Sequence, residues 1–489
     1  MVPCLSLLSK IIRKGKFLLK SKLMHSAFRP FKKATLPDPP PFLKLLGPSF
    51  IILGLGLGSG EIILWPYLVS NFGLGIIWGA ILGISFQFII NMEIERYALV
   101  RGESIFVGFA RMARFLPIWF VFSTFIGFGW PGIIASSARI FGNILGIEAF
   151  HILAIVFLIA IGLILTLGPV LYKTVETFQK TIILIGVPSL LLITLAVASK
   201  SDYLALAKGA VGFGEGYYFL PQGISLLTFL AAFAFSGAGG NLNLSQSYYI
   251  REKGYGMGKY AQKIQSLVTG ESKDVELEGT TFIVDGHGVS NFKRWWKIMN
   301  IEHFVVFLVT GTVSILLLAL LAYTTTFGTP GNAPSIDFII NEAQSIGTNL
   351  FPAASVFFLF LTGTMLFATQ FAVMDSTSRI ISENIILTSP SKFSTRALPK
   401  AYYSVLWAQI VFGVLVFMMG IKDPRFLITL SAVINAIAMF VHIGLTFLLN
   451  TKTLPNPTVP SIWRKLLLVG IFIFFGVFSS YTLWAFFFK

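Results

Sequence analysis

Residues 54–61 read Gly-Leu-Gly-Leu-Gly-Ser-Gly-Glu, and residues 236–243 read Ser-Gly-Ala-Gly-Gly-Asn-Leu-Asn. Each lies within an apolar stretch of membrane length. A glycine weakens a helix by about 1 kcal/mol relative to alanine, so clusters of this density predict local unwinding. Unwound backbone is tolerated at membrane depth only where protein or water satisfies its N–H and C=O groups. Freed carbonyls can ligate a cation, and half-helix N-termini can receive an anionic group. Two such breaks at matching places in two halves of a chain point to a transport site. Close helix packing is the competing explanation. It accounts for Gly75, Gly79 and Gly83, four apart in the following helix. It accounts poorly for Glu61, because a membrane carboxylate costs a few kcal/mol and marks a functional site by default.

The rest of the chain fits this frame. Of its 489 residues 55% are hydrophobic and 12% charged, against about 25% charged in soluble proteins. Apolar segments predict membrane helices 1 to 11 at 47–70, 74–97, 115–138, 151–168, 179–198, 222–248, 301–323, 350–376, 400–419, 425–449 and 462–487. Each is long enough to cross about 30 Å of hydrocarbon. The fold class is therefore an all-α membrane protein with about eleven transmembrane helices. The net charge of +16 could suggest nucleic acid, but its distribution argues otherwise. With the N-terminus inside, 31 Lys and Arg fall on the inner side. Only six, Arg139, Lys200, Lys208, Lys422, Arg425 and Lys489, fall at or near the outer side. That asymmetry predicts a multi-pass integral protein with a cytoplasmic N-terminus. The bilayer, not nucleic acid, is the expected partner. Cys4 is the only cysteine, so an internal disulfide and a cysteine metal cluster are excluded. No nucleophile–base constellation and no cofactor motif is present, so neither an enzyme nor a bound cofactor is expected. The expected form is a monomer.

Five helices, 47–198, precede an outer loop at 199–221. Five more follow over 222–449, and 450–489 adds helix 11 and the C-terminus. An odd number of spans per half inverts the second relative to the first. Residues 1–46 are basic and partly apolar and read as a segment lying on the inner leaflet, with an organelle-targeting peptide as the sharper reading. Lys10, Arg13, Lys14 and Lys16 interrupt any signal-peptide core. In the cytoplasmic loop 249–300, Val275–Val284 is strand-like and Asp285-Gly286-His287-Gly288 reads as a turn, giving a small hairpin. His287 reads as solvated. Trp295 and Trp296 read as an interfacial anchor.

Among polar membrane residues, Asn91, Glu93, Glu95 and Arg96 read as a solvated or gating cluster at the inner end of helix 2. Asp375 and Arg379 are four apart and are expected to pair. Thr362, Thr364 and Thr369 are expected to bond back to their own helix. Asn435 and His442 share a face of helix 10; Asn435 is placed to line the site and His442 is read as structural.

Several short runs carry a family resemblance. Gly47-Pro48-Ser49-Phe50, Asn71-Phe72-Gly73, Trp78, Glu95-Arg96-Tyr97-Ala98, Arg101-Gly102-Glu103 and Asn241-Leu242-Asn243-Leu244-Ser245 resemble the Nramp divalent-metal transporters. The resemblance spans the chain. It implies a five-plus-five inverted repeat of the LeuT-like type, shared with amino-acid transporters, with helices 1 and 6 broken. The chemical motifs differ. The family's helix 1 motif Asp-Pro-Gly-Asn falls on Gly58-Ser59-Gly60-Glu61, and its helix 6 motif Met-Pro-His-Asn on Ala238-Gly239-Gly240-Asn241. Glu61, Asn241 and backbone carbonyls, including that of Phe235, remain as the implied ligands, with Glu61 and Asn241 as the metal-binding pair. Methionine is a soft ligand, so its replacement by Ala238 shifts the expectation toward a harder ion or another substrate.

The resulting expectation is a secondary transporter moving a cation, a divalent metal of atypical selectivity, by alternating access. The alternative is an ion-coupled symporter of a small organic solute, in which helix 8 threonines and helix 1 carbonyls could hold sodium. A sensor or channel is the remaining reading. Gly240 stands where the family has a helix 6 histidine, and 115–138 holds no Asp, Glu or His. Proton coupling is therefore expected to be weak or absent, with Glu61 facing a cavity between helices 1 and 6.

Overall fold

The computed structural model describes residues 28–167, 171–261, 276–333, 335–388 and 397–488. The basic run before residue 28, with Cys4, lies outside them. Ten helices are long and apolar enough to cross a membrane: Pro48–Phe72, Leu74–Arg101, Leu116–Leu145, Phe150–Leu167, Tyr172–Val197, Gly286–Thr326, Pro352–Thr388, Leu398–Met418, Pro424–Thr453 and Ile462–Trp484. They are helices 1 to 5 and 7 to 11. Helix 6 comes in pieces, Leu226–Ala234, Gly240–Ser245 and Gln246–Lys253, none of them membrane-length alone.

Several helices outrun the apolar windows. Helix 8 continues to Thr388 because Asp375 and Arg379 are buried and paired inside the bundle. Arg379 Nε donates to Asp375 at 2.9 Å, Arg379 also pairs with Glu252, and Tyr402 donates to Asp375 at 2.9 Å. Helix 3 runs past Gly129-Trp130-Pro131, where Pro131 removes a ladder bond and separates Leu116–Phe128 from Gly132–Leu145. Helix 7 starts at Gly286, before its apolar part, because Asp285 caps it through Gly288 N–H at 2.7 Å.

That cap corrects the expected hairpin. Asp285-Gly286-His287-Gly288 opens a helix, and strand β2 (Thr280–Phe282) pairs in parallel with β1 (Lys32–Ala34), in the register Lys32 with Thr280. Pairing with the N-terminal segment satisfies β2 without a second strand from its own loop. His287 is exposed, as read. Trp295 is no interfacial anchor. It is 1% exposed and donates to the Pro37 carbonyl at 2.6 Å, while Trp296 lies under the Arg96 guanidinium at 3.8 Å. The helix 2 cluster is not solvated either: Asn91, Glu93, Glu95 and Arg96 are all buried. Glu93 and Arg96 pair at 2.8 Å, and Arg464 and Asn450 approach Glu93 at 3.3 and 3.1 Å. The glycines of helix 2 serve packing: Cβ atoms on Gly79 and Gly83 would press on Phe229 and Ser236 of helix 6 at 2.6 and 2.7 Å.

Removing one partner of a buried ion pair costs about 3–5 kcal/mol. Arg379→Met is therefore expected to lower the melting temperature sharply in detergent. Arg294→Met breaks the exposed pair with Asp38 and a hydrogen bond to Asn291 and is expected to cost less, about 1 kcal/mol.

Candidate functional site

The two glycine clusters meet, and they meet through backbone. A Cβ on Gly56 would come within 2.6 Å of the Gly237 carbonyl carbon, and one on Gly60 would overlap the Phe235 carbonyl group. In helix 6 the chain leaves the helix at Phe235. Gly237, Gly239 and Gly240 take φ of 137°, 70° and 51°, a region other residues rarely occupy, before a short 3₁₀ turn resumes at Gly240–Ser245. Helix 1 solves the same problem differently. Its α ladder stops at Gly56 and gives way to a π-helix over Leu57–Leu64, where Trp65 N–H reaches back to the Gly60 carbonyl. The regular ladder is lost in both helices, but helix 1 widens where unwinding was expected. Single π turns inside α-helices occur often at functional sites.

The π stretch sends its residues to three neighbours. Gly58 packs against Thr369 of helix 8, and Gly60 against helix 6. Glu61 faces helix 7, its Oε1 3.7 Å from where a Cβ on Gly311 would sit. Ser59 is buried. Glu61 is fully buried and neither carboxylate oxygen has a hydrogen-bond partner. An isolated charge in such a place is untenable, so the group stands as the neutral acid or beside a cation. Glu61 was expected to face a cavity between helices 1 and 6; its carboxylate is turned toward Gly311 of helix 7, and a cleft beside Phe235 is lined by Phe128, Trp130, Gln370 and Ser431. This cleft has a volume of about 10 Å³, room for about one water molecule.

The polar centre gathers between helices 3, 6 and 10. Asn241 Nδ2 donates to Ser123 and Thr124 of helix 3 at 2.8 and 2.9 Å. Asn435 Nδ2 donates to the Gly127 carbonyl, one turn along the same helix, at 2.8 Å. The Oδ1 atoms of both asparagines are buried without a partner. Gly240 has room for neither a Cβ nor the family's imidazole, because Asn435 occupies that space. His442 reaches the spot from helix 10 instead, its Nε2 3.0 Å from the Gly240 carbonyl and its Nδ1 unpartnered. A carbonyl only accepts, so the Nε2 carries the proton. Read as structural from the sequence, His442 thus touches the break; its spacing from Asn435 was the available signal. Ala238 is buried, and Gly239 N–H donates to Gln87 Oε1 at 3.0 Å. No hydrogen bond joins Glu61 to Asn241 among the described residues.

A second junction lies between helices 1, 5 and 8. Thr362 and Thr364 bond back to their own helix at 2.8 and 2.7 Å, but Thr369 Oγ1 crosses to the Gly54 carbonyl at 2.9 Å. Gln179 Nε2 donates to the Ala368 carbonyl at 2.5 Å, leaving its Oε1 beside Gly54 unpartnered.

No family model matches this chain, and no curated protein sequence matches it significantly. Solved structures do. A mutant of the manganese transporter of Eremococcus coleocola superposes with a TM-score of 0.67 over 94% of this chain and 91% of that one, at 14% identity. The same transporter in complex with an aromatic bis-isothiourea compound gives 0.65 at 14% identity, with the same coverage. The chain has the five-plus-five inverted-repeat fold. In that frame helices 1 and 6 are equivalent first helices of two inverted halves, which is why their glycine clusters meet at the centre.

Overpacking at such a contact costs about 1–3 kcal/mol. Gly60→Ala is expected to lower the melting temperature in proportion, whereas Gly470→Ala, with open space around it, is expected to be neutral or slightly stabilising. Equal effects from the two would show that the helix 1–helix 6 contact is not tight.

Proposed function

We propose that this chain is a Nramp-related secondary transporter that moves a cation by alternating access. The observation that carries the reading is a set of buried acceptors without donors. Glu61 offers two bare carboxylate oxygens, and Asn241 and Asn435 each offer a bare amide oxygen beside the broken helix 6. Buried polar groups are ordinarily satisfied, and bare oxygens such as those of Asn241 and Asn435, both held against helix 3, fit a cation. Carboxylate and amide oxygens are hard ligands, and among the described residues no three His, Cys, Asp or Glu side chains gather as a dedicated metal cage. The likeness to a manganese transporter supports the fold of this reading; Ala238 and the oxygen donors support a harder cargo. In this reading Asn241 and Asn435 hold the substrate with the carbonyls of Phe235 and Gly240. Glu61 balances its charge once helix 1 moves relative to helix 7. Gly58, Ser59, Gly60 and Gly239 give the substrate close approach to backbone.

A second reading draws on the Thr369–Gly54 contact. A helix 8 hydroxyl on a helix 1 carbonyl, with Gln179 Oε1 free beside it, suits a sodium ion that drives symport of an organic solute.

Uptake into liposomes decides between them. Magnesium or calcium flux exceeding manganese and cadmium flux is expected, with Asn241→Ala and Glu61→Gln each lowering it at least about tenfold, the loss of roughly one charge-assisted contact. Preference for manganese or cadmium would sink the hard-ion assignment. Sodium-dependent uptake of an amino acid, lost in Thr369→Val and with no divalent flux, would establish the second reading instead.

A further inference from the structure

Below the breaks, on the side that the Lys and Arg asymmetry assigns to the cytoplasm, the start of helix 1 is tied to helices 2, 6 and 7 through buried ionisable groups. Ser49 Oγ lies 2.5 Å from Glu302 Oε2 and 2.8 Å from His303 Nδ1. His303 Nδ1 lies 3.3 Å from Glu95 Oε1, which accepts from Gln246 Nε2 at 2.6 Å. Ser49, Glu95, Glu302 and His303 are all fully buried. Glu95 Oε2, Glu302 Oε1 and His303 Nε2 have no hydrogen-bond partner.

The surroundings do not neutralise this cluster. Lys253 is the cation beside Glu302, and it is held by Glu176 of helix 5 at 2.6 Å and by the Leu46 carbonyl at 3.1 Å. Arg464 of helix 11 faces Glu95 but is bound to Glu93 at 3.3 Å, and Glu93 also holds Arg96. Tyr172 and Tyr255 face Glu302 with neutral hydroxyls, Tyr255 donating to the Leu45 carbonyl. Two carboxylates and one imidazole therefore share a dry site with no cation of their own, an arrangement that costs several kcal/mol per uncompensated charge. A proton removes that cost. The His303 ring lies parallel between Phe307, at 4.7 Å, and Phe88, at 5.6 Å, and aromatic faces attract a cation. A metal ion is the poorer occupant, since these groups form no metal-sized set.

We propose that Glu95, Glu302 and His303 form a proton-binding site that latches the inner half of helix 1, so that opening on this side releases a proton. The step balances simply. With the latch closed, one proton is shared among the two carboxylates and the imidazole. When Ser49 withdraws, water reaches the cluster, solvates the carboxylates and takes the proton into the inner solution. The closed latch is the form that binds the proton, so it is favoured at low inner pH and loses ground as pH rises, by at most about tenfold per pH unit for one proton.

The test needs no substrate, so its outcome is independent of the transport reading. Cys4 is the only native cysteine. In a full-length Cys4→Ser protein, Ile52→Cys places a thiol one turn beyond Ser49, at a position that is fully buried. Its labelling by a water-soluble maleimide, normalised at each pH to the same protein unfolded, reports opening of the helix 1 inner half. Labelling is expected to rise severalfold from pH 6 to pH 8. Glu302→Gln, Glu95→Gln and His303→Gln each substitute a neutral group for a titrating one, and loss of the slope in any variant that keeps a cooperative melting transition supports the latch. Labelling that is the same at every pH, or a slope that persists through all three substitutions, overturns it.

Discussion

The contact between the backbones of helices 1 and 6 is the constraint on which the rest of the structure depends. Gly56 lies on Gly237 and Gly60 on the Phe235 carbonyl with no space for a methyl group between them. Such closeness requires glycine on the helix 1 side of both contacts and, at Gly56–Gly237, on the helix 6 side as well. It also removes the regular helical hydrogen bonds there, so the freed groups must find partners elsewhere. Helix 1 answers by widening into a π-helix that keeps its bonds internal. Helix 6 breaks outright and hands its groups to Gln87 of helix 2 and His442 of helix 10. One contact thereby fixes where the polar centre of the membrane interior lies and which helices surround it.

Polar side chains follow from that centre outward. Helix 3 lacks acidic groups but contributes Ser123, Thr124 and the Gly127 carbonyl, which orient Asn241 and Asn435 by holding their amide nitrogens. Each asparagine is turned so that its oxygen is left for something else. The charged groups sit lower, in two buried networks around Asp375–Arg379–Glu252 and Glu93–Arg96–Arg464. Buried ion pairs add little net stability but fix geometry strongly, since leaving one partner alone is costly. Their position at the C-terminal ends of helices 2, 6 and 8 and the N-terminal end of helix 11 gathers them on one side of the bundle.

The N-terminal and C-terminal halves of helix 1 are therefore held by unlike forces. From Gly56 onward the helix is fixed by close packing, which is short-ranged and insensitive to pH. At Ser49 it is fixed by hydrogen bonds to ionisable groups. A helix held this way can pivot at its π stretch, because the wider ladder already departs from α geometry where the two kinds of attachment meet.

The sequence by itself determined the class of molecule, the order of its apolar helices, and the breaks in helices 1 and 6. Hydropathy over about 20 residues and the density of glycine are local properties, and a linear reading captures them. It also marked Glu61, Asn241 and Asn435, since a polar side chain in an apolar run is visible without coordinates. Only the tertiary structure decided which way each one faces. Glu61 and Gly58 are three residues apart yet meet helices 7 and 8, because a π-helix turns less per residue than an α-helix. His442 reaches the Gly240 carbonyl of helix 6 from helix 10, which no window on helix 6 can reveal. Glu95 read as part of a solvated or gating cluster at a helix end, and Glu302 and His303 gave no signal of their own, because their polarity only lowers local hydropathy. Their burial comes from neighbours more than 50 residues away in sequence, and the chemistry of a buried charge depends on those neighbours alone.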